Sequence, residues 1–420
     1  MKNYVFIGAG PSSLWCVLEL LDNGIKGNEI TIIEKGKNPY DRLKTEVMNG
    51  FMGAGGFSDY KMIYSLTRGG ELTKYTGVEK GQLLIDRIKK QIRRFHPKPE
   101  EISISGETIP TTLGNELLQN FDVILSNSEH IGTDYAIKIG KKIYNHLKRK
   151  KVKMYFEQEV INTDFNKRKI TTIDDTIIDY DELIIGVGKS GMNYLSQLIK
   201  EYNLGTTSKE VQVGVRFESD HKYFNRVTKH FYDFKLHKKY GTVSARTFCV
   251  NNGLAFVAKE DSNGLFSYNG HAYREHEEKR DLTNFGIMLE MSVVKDPLIY
   301  TQEFVKYFNR GKKGCYYTPS NRKPTADAVK INAVEFNNYK KIFDVVFDFI
   351  DELDKVFKFG DDYVMYVPEI KYVTNSITLE KESMSIPGQP RVHIIGDSAG
   401  ARGLFVSKAH GLHLADYFLK

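Results

Sequence analysis

The pattern of apolar and polar residues at the start of the chain predicts a strand, a tight turn and a helix. Tyr4 to Ile7 form a short apolar strand, and the six residues GAGPSS follow directly. From Ser12 to Leu21 the apolar residues recur with helical spacing and share one face. A second apolar run, ITII, ends in Glu34 and predicts a neighbouring strand. This order is typical of the first strand–helix–strand unit of a nucleotide-binding sheet.

The remaining segments differ in pattern. A glycine-rich stretch, NGFMGAGGFSDYK, precedes a mostly helical and polar region from 76 to 125, and a further helix is expected at 133–149. Several strand-like runs, among them VQVGVRFES and GIMLEMSVV, lie between 205 and 370, with a helix near 327–350. The C-terminal RVHIIGDSAGARGLFVSKAHG returns to strand, turn and helix.

These patterns predict an α/β protein in which one domain interrupts another. A Rossmann-type nucleotide-binding domain of parallel strands and helices is expected at 1–75, 120–200 and 385–420, and a helical insertion at 76–119. A mixed α+β substrate domain is expected at 205–384. Because ligand sites favour the clefts between domains, we expect the substrate to bind between the two domains.

The GAGPSS turn carries most of a dinucleotide fingerprint. Gly8 makes the turn tight, and Gly10 lets phosphates approach the backbone at the start of the helix. Ser13 stands where the third glycine of G-x-G-x-x-G belongs, which is a mild departure because that position serves helix packing. Glu34, about 20 residues further on, is expected to accept hydrogen bonds from a ribose. The sequence therefore predicts a site for a dinucleotide.

A second G-x-G-x-x-G, in DELIIGVGKSG, has two interpretations. Gly186, Gly188 and Gly191 would mark an NAD(P) domain, but no strand ending in an acid follows at the required distance, since Glu218 lies too late. We therefore favour the interpretation that this strand joins the first domain and that its glycines pass close to the bound cofactor.

Composition and charge narrow the function classes. The chain has 420 residues, a net charge of +7 and three cysteines without a C-x-x-C pair, so neither a dithiol centre nor a zinc site is expected. No apolar run reaches the length of a membrane span, and we expect a cytoplasmic protein without a membrane partner. The lysine-rich KKIYNHLKRKKVK is either a solvated helix face or a nucleic-acid surface. The oligomeric state stays open.

The ordered motifs resemble a known group of flavoproteins. GAGPSS, Glu34, DELIIGVG and HIIGDSAGARG are similar to FAD-dependent oxidoreductases with a glutathione-reductase-type Rossmann domain. GGFSDYK, EHIGTD, GVRFE and FCVNNGLAFVA, in that order, resemble a poorly characterised family of FAD-dependent dehydrogenases. Tyr60 replaces a usual glycine, Glu129 a usual proline, and GKSGMN a GHSARD-like run. The resemblance covers nearly the whole chain.

The resemblance implies FAD as the cofactor and a set of residues that contact it. Asp397 is expected beside the ribityl chain, and backbone amides near Arg402 at the pyrimidine edge of the flavin. The expected cofactor contacts are Gly8, Ala9, Gly10, Pro11, Ser12, Ser13, Glu34, Lys35, Arg42, Phe57, Ser58, Val160, Gly186, Val187, Gly188, Gly396, Asp397, Gly400, Arg402, Gly403 and Leu404.

Three functions are compatible with these observations. The leading one is an FAD-dependent oxidoreductase that transfers a hydride between flavin N5 and a small-molecule substrate. Lys61, His130 and Arg216 are the candidate catalytic residues: His130 is either a base or structural, and Arg216 either clamps an anionic group or pairs with a carboxylate such as Glu218. The second is an FAD-dependent enzyme that modifies a base or a base-linked amino group in DNA or tRNA. The third is a non-catalytic flavoprotein.

Overall fold

The computed structural model describes residues 2–43, 46–70, 72–102, 104–105, 108–124, 127–207, 211–262, 264–275, 281–292, 296–310, 314–319, 328–331, 333–371 and 376–420. The α-helices are α1 (Pro11–Asp22), α2 (Leu72–Phe95), α3 (Thr111–Leu118), α4 (Thr133–Arg149), α5 (Met192–Glu201), α6 (Asn225–Thr228), α7 (Pro297–Asn309), α8 (Lys340–Phe357) and α9 (Leu404–Phe418).

The strands are β1 (Tyr4–Ile7), β2 (Ile30–Glu34), β3 (Lys61–Ile63), β4 (Ile104–Ser105), β5 (Asp122–Val123), β6 (Ser128–His130), β7 (Lys153–Phe156), β8 (Val160–Asp164), β9 (Lys169–Thr172), β10 (Ile177–Asp179), β11 (Glu182–Ile185), β12 (Thr206–Thr207), β13 (Val211–Asp220), β14 (Leu236–Tyr240), β15 (Val243–Asn251), β16 (Ala255–Ser262), β17 (Leu265–Ala272), β18 (Leu282–Met291), β19 (Cys315–Tyr317), β20 (Val329–Lys330), β21 (Tyr363–Lys371), β22 (Ser376–Ile377), β23 (Ser385–Ile386) and β24 (Gln389–Ile394).

The chain forms two compact units. The first unit comprises residues 1–102, 134–208 and 374–420, and the second unit comprises 103–133 and 209–373. The expected boundaries lay elsewhere: α2 belongs to the first unit because it packs against α9, whereas α3 belongs to the second unit. Among the described helices, none is long and apolar enough to cross a membrane.

The first unit contains the expected parallel sheet. Its strand order is β23-β24-β11-β1-β2-β7, and all neighbours are parallel except the antiparallel edge pair β23–β24. The five parallel strands therefore follow the order of a Rossmann-type sheet, with β1 at the centre. β11 is bonded to β1 directly, which confirms that the strand before GVGKSG joins the first domain. The expected α/β fold class is thus confirmed.

Helices α1 and α9 lie against each other in the first unit. A Cβ atom on Gly411 would lie 2.1 Å from the carbonyl oxygen of Ser12, so a glycine is needed where the two helices touch. Helix α1 follows β1 after the short GAGPSS turn, and α9 is the next α-helix after β24, from which the turn at Gly396–Ala399 separates it. Both helices therefore begin at the carboxyl edge of that sheet, where Rossmann-type folds bind their ligands.

The second unit is built on a mixed sheet. Among the described residues it has eight strands in the order β20-β19-β21-β13-β18-β15-β14-β5, with β13 antiparallel to β18 and β21. Phe217 and Phe285 stack on one another at the centre of one face, on which α8 packs. Helix α8 begins at Lys340, later than the expected helix near 327–350; residues 320–327 lie outside the described residues.

Candidate nucleotide-binding site

The GAGPSS turn packs against the second glycine motif. Gly8 has a φ of +95°, and a Cβ atom there would lie 2.9 Å from the carbonyl oxygen of Gly186. A Cβ atom on Gly186 would in turn lie 2.4 Å from the Oγ atom of Ser13. Ser13 can therefore replace the third glycine of the fingerprint because Gly186 leaves room for its hydroxyl. Val187, the next residue, accepts a hydrogen bond from the Ser398 hydroxyl.

The start of α1 has backbone amides without a partner among the described residues. Gly10 is the N-cap residue and provides no side-chain cap, and Pro11 occupies the first turn. The first backbone hydrogen bond of the helix runs from the amide of Leu14 to the carbonyl of Gly10. The amides of Ser12 and Ser13 precede that bond, and the first turn has no acidic residue. Such a helix start is suited to bind a phosphate group.

Glu34 connects three parts of the site. Its buried carboxylate accepts hydrogen bonds from the backbone amides of Ala9 at 2.8 Å, Gly36 at 2.8 Å and Gly50 at 3.0 Å. A carboxylate has about four lone-pair positions, so at least one stays open to a ribose hydroxyl. Glu34 therefore shapes the site, in addition to its expected contact with the cofactor.

Arg42 organises the loop after β2. Its buried guanidinium donates hydrogen bonds to the backbone carbonyls of Glu46, Val47, Phe51 and Gly53 and lies 3.9 Å from the ring centroid of Phe57. These contacts give Arg42 a structural role in the loop, whereas the sequence suggested a contact with the cofactor.

Three other expected contacts lie around this loop and the neighbouring strands. Ser58 donates its hydroxyl to the carbonyl of Gly55. The Lys35 ammonium pairs with Glu159 at 2.8 Å, and Val160 is buried at the start of β8. Lys35 and Val160 follow the carboxyl ends of β2 and β7, which are neighbours in the sheet.

The C-terminal motif brings a second group of residues to the same edge. Gly396 has a φ of +69°, and a Cβ atom there would lie 2.5 Å from the Oγ atom of Ser12. The half-buried Asp397 approaches Gly188, since its Oδ2 lies 4.0 Å from the position of a Cβ atom on that glycine. Among the described residues, the Asp397 carboxylate has no hydrogen-bond or ion-pair partner. It is therefore available to a ligand.

The start of α9 is also uncapped. Gly400, with a φ of +84°, ends the turn, and Gly403 is an N-cap without a side-chain cap. The Arg402 guanidinium donates hydrogen bonds to the backbone carbonyls of Asp397 and Ala401. Burial lowers the pKa of this guanidinium, and the negative charge of Asp397 opposes that shift. Leu404 fills space left by Gly55, where a Cβ atom would lie 2.1 Å from its Cδ2.

The geometry fits a dinucleotide at the carboxyl edge of the sheet. Two helix starts without side-chain caps lie at this edge, and glycines bring their turns together at Ser12. A helix start stabilises negative charge because its free amides and dipole point outward. Within the described part of the chain, no cluster of side chains is suited to hold a metal ion.

Lys61 lies in the first unit and is buried. Its ammonium group is 3.5 Å from Oδ2 of Asp59, and the two side chains are 4% and 2% exposed. The two groups are close enough to form an ion pair, but they do not form a hydrogen bond. Lys61 belongs to the first unit, and the other two candidate catalytic residues belong to the second unit.

His130 is half-buried on β6 of the second unit. Its imidazole stacks on the ring of Tyr232, with 4.5 Å between centroids and 19° between planes. Tyr232 is in turn connected to Asn252, which donates a hydrogen bond to its carbonyl. This stacking orients the ring of His130, and a role as a base stays a prediction.

Arg216 is surrounded by partners inside the second unit. It is fully buried and donates hydrogen bonds to Glu369 at 3.1 Å, to Asn284 at 3.0 Å and to the carbonyl of Cys249 at 2.9 Å. A Cβ atom on Gly270 would lie 1.6 Å from its Nη2, so the covering strand must carry a glycine there. Of the two expected roles, the structure therefore supports pairing with a carboxylate, and the partner is Glu369 instead of Glu218.

The sequence did not identify Lys408 as a buried cation. The Lys408 ammonium is 4.5 Å from the ring centroid of Trp15, 4.1 Å from that of Tyr60 and 3.1 Å from Sδ of Met62. The sequence held one signal for this cluster: Tyr60 stands where the similar family has glycine, and it adopts a φ of +49°. Lys408 thus connects α1, β3 and α9 within the first unit.

Comparisons with known proteins give low-identity matches in structure alone. No family model and no curated protein sequence matches the chain. The halogenase PltM is 12% identical with a TM-score of 0.43, over 99% of this chain and 68% of its own. L-proline dehydrogenase from P. horikoshii is 11% identical with a TM-score of 0.47, over 99% and 93%. A putative FAD containing monooxygenase from Photorhabdus luminescens is 9% identical with a TM-score of 0.43, over 100% and 88%.

Proposed function

We propose that this protein binds FAD and acts as an FAD-dependent oxidoreductase on a small-molecule substrate. The observation that carries the proposal is the pair of uncapped helix starts, α1 and α9, at one edge of a Rossmann-type sheet. FAD has a pyrophosphate in its middle and a flavin at one end. The pyrophosphate can bind at the start of α1 and the flavin at the start of α9. FMN has neither a pyrophosphate nor an adenosine ribose for Glu34.

Each part of the site has a role in this proposal. The amides of Ser12 and Ser13 bind the pyrophosphate, and Glu34 orients the adenosine ribose. We assign Asp397 to the ribityl hydroxyls as a hydrogen-bond acceptor. The reason is that its carboxylate has no protein partner among the described residues. The amides at the start of α9 face the pyrimidine edge of the flavin, where they stabilise negative charge.

The bound flavin supplies the hydride chemistry at N5. The residues of the chain bind it, orient it and favour its charged form: α9 directs its positive end toward the flavin, and the Arg402 guanidinium beside Asp397 adds a half-buried positive charge. His130 is the candidate proton acceptor on the substrate side. Arg216 is not assigned to the substrate, because Glu369, Asn284 and Cys249 already occupy its donors.

The cofactor assignment is tested by extraction and titration. The cofactor released from the purified protein by heat should co-migrate with FAD, and the apoprotein should bind FAD but not FMN. Trp15, the single tryptophan of the chain, is buried on α1 next to the pyrophosphate site, so its fluorescence should be quenched as FAD binds. FMN in the extract, or no uptake of FAD by the apoprotein, would contradict the proposal.

Two variants separate binding from folding. Asp397→Ala should weaken FAD binding about 10- to 100-fold, because it removes charged hydrogen bonds to the ligand. It should lower the Tm of the apoprotein only slightly, since the protein itself loses only the negative charge near Arg402. Glu34→Ala should lower both FAD affinity and Tm, because three backbone amides lose their acceptor. Asp86→Ala, on the exposed side of α2, is the control and should change neither quantity.

A further inference from the structure

The positive charge of this protein is concentrated in one segment. Residues 135–153 contain eight Lys or Arg residues and no Asp or Glu, and thus carry a charge of +8. The net charge of the whole chain is +7, so the rest of the chain is close to neutral. A basic protein with dispersed lysines would not show this distribution.

The structure places these charges on one surface of the first unit. Helix α4 buries Ile139, Ile143 and Leu147 against the unit. The basic residues lie on its outer side and on the turn that follows, and all are exposed except the half-exposed Lys141. We call this the α4 basic surface; its residues are Lys138, Lys141, Lys142, Lys148, Arg149, Lys150, Lys151 and Lys153.

The charges of the α4 basic surface are not neutralised by ion pairs within the described residues. In the described part of the chain, none of its eight residues forms an ion pair with a carboxylate, although basic residues elsewhere, such as Arg87 and Arg226, do so. His146 is buried on the same helix. Burial lowers the pKa of its imidazole, and Arg94, Lys150 and Arg149 lower it further, whereas Asp22 opposes them.

Exposed aromatic rings border the surface. Tyr40 is 52% exposed, its ring lies 5.0 Å from the ammonium of Lys141, and its hydroxyl accepts a hydrogen bond from Asn145. Tyr155 is 44% exposed on the edge strand β7 and lies on the same side of that strand as Lys153. Cations interspersed with exposed rings are the combination that binds the backbone and the bases of single-stranded nucleic acids.

The position of the surface relates it to the nucleotide site. The turn after α4 lies at the amino edge of the sheet, since a Cβ atom on Gly27, before β2, would touch the carbonyl of Lys150, before β7. From this turn, α4 runs back for about 25 Å toward the carboxyl edge, where the GAGPSS turn lies. A single strand of nucleic acid bound along α4 would thus extend from the amino edge to the carboxyl edge of the sheet.

We propose that the α4 basic surface is a binding site for single-stranded nucleic acid. Phosphates contact the lysine and arginine side chains, and bases stack on Tyr40 and Tyr155. An anionic membrane is the other partner that such charge would attract. It is disfavoured because Val152, the apolar residue within the densest part of the basic run, is buried and not available for insertion. This proposal is independent of the oxidoreductase assignment.

Binding of a labelled oligo(U) 20-mer to the full-length protein with its cofactor tests the proposal. Affinity should fall steeply with salt, with a slope of log K against log salt of about −0.7 per phosphate contact. Replacing Lys148, Arg149, Lys150 and Lys151 together by Gln should make the slope shallower by about 3 and weaken binding at least tenfold in 50 mM salt. FAD content and Tm should not change, because these side chains are exposed.

The matched control removes the same charge from the second unit. Lys229, Lys330, Lys340 and Lys341 are exposed as well, and their joint replacement by Gln should leave the slope and affinity nearly unchanged. Equal losses in the two quadruple variants would overturn the proposal, since binding would then follow net charge alone. No binding in 50 mM salt would overturn it too, as would binding to phosphatidylserine vesicles without binding to the oligonucleotide.

Discussion

The buried pair of Arg216 and Glu369 yields a sharp prediction for the second unit. The change is Arg216→Ala. It removes a guanidinium that is 0% exposed and leaves the Glu369 carboxylate, 3% exposed, without its cation. Asn284 loses the donor of its 3.0 Å hydrogen bond, and the Cys249 carbonyl loses a donor at 2.9 Å.

The expected cost is about 3–5 kcal/mol, because a buried ion pair loses one of its two partners. A domain of this size is stable by about 5–15 kcal/mol, so the variant should lose a large part of its stability. Urea denaturation followed by circular dichroism measures the difference. The double variant Arg216→Met, Glu369→Leu should be more stable than Arg216→Ala, since it leaves no unpaired charge.

Arg246→Ala is the matched control on the same sheet. Arg246 also pairs with a carboxylate, Glu290 at 2.9 Å, but the two side chains are 17% and 24% exposed. Solvent screens this pair, and we expect a loss below about 1 kcal/mol. A loss as small for Arg216→Ala would refute the structural role of Arg216 and return it to the candidate substrate residues.

Three further predictions concern the first unit. Gly186→Ala should lower Tm, because its Cβ would lie 2.4 Å from Ser13 Oγ, and Ser13→Gly in the same chain should restore it; an equal Tm in the single and double variants would contradict the packing argument. His410 is fully buried, and neither of its ring nitrogens has a hydrogen-bond partner among the described residues; burial, aided by His413, lowers its pKa to about 3. His410→Leu should therefore raise the free energy of unfolding by about 1–3 kcal/mol at pH 7. The difference in free energy of unfolding between this variant and the natural protein should grow as the pH falls below 6.5. In the natural protein His410 then binds a proton in the unfolded state but not in the folded state. A constant difference between pH 7 and 5 would disprove this linkage. Burial opposes the charge of Glu182, but hydrogen bonds from His393 and Lys2 outweigh it and hold the pKa of its carboxyl below the ordinary value. Its stabilisation is present above about pH 4.3 and is lost as the pH falls further, so Glu182→Gln should lose less stability than the natural protein between pH 5 and 3.5; equal losses in urea denaturation would contradict it.

Local patterns were sufficient to predict the parallel part of the fold. The strand, turn and helix of residues 4–22, and the same order at the C-terminus, are encoded in neighbouring residues whose spacing is set by backbone geometry. The position of β11 in the first sheet was inferred correctly, because a second glycine motif without an acidic strand is not a complete nucleotide domain. The glycines of the turn were recognisable for the same reason: a tight turn needs them at defined positions.

Contacts between distant residues required the three-dimensional structure. Arg216 and Glu369 are 153 positions apart, and nothing in the GVRFE motif distinguished Glu369 from Glu218 as the partner. Lys408 meets Met62 across 346 positions, and the room for Ser13 is provided by Gly186. A side chain's environment depends on which strands and helices pack together, and the spacing of residues along the chain carries little information about that packing. The sequence therefore identified the elements of the nucleotide site, whereas the roles of its buried charges followed from their neighbours in space.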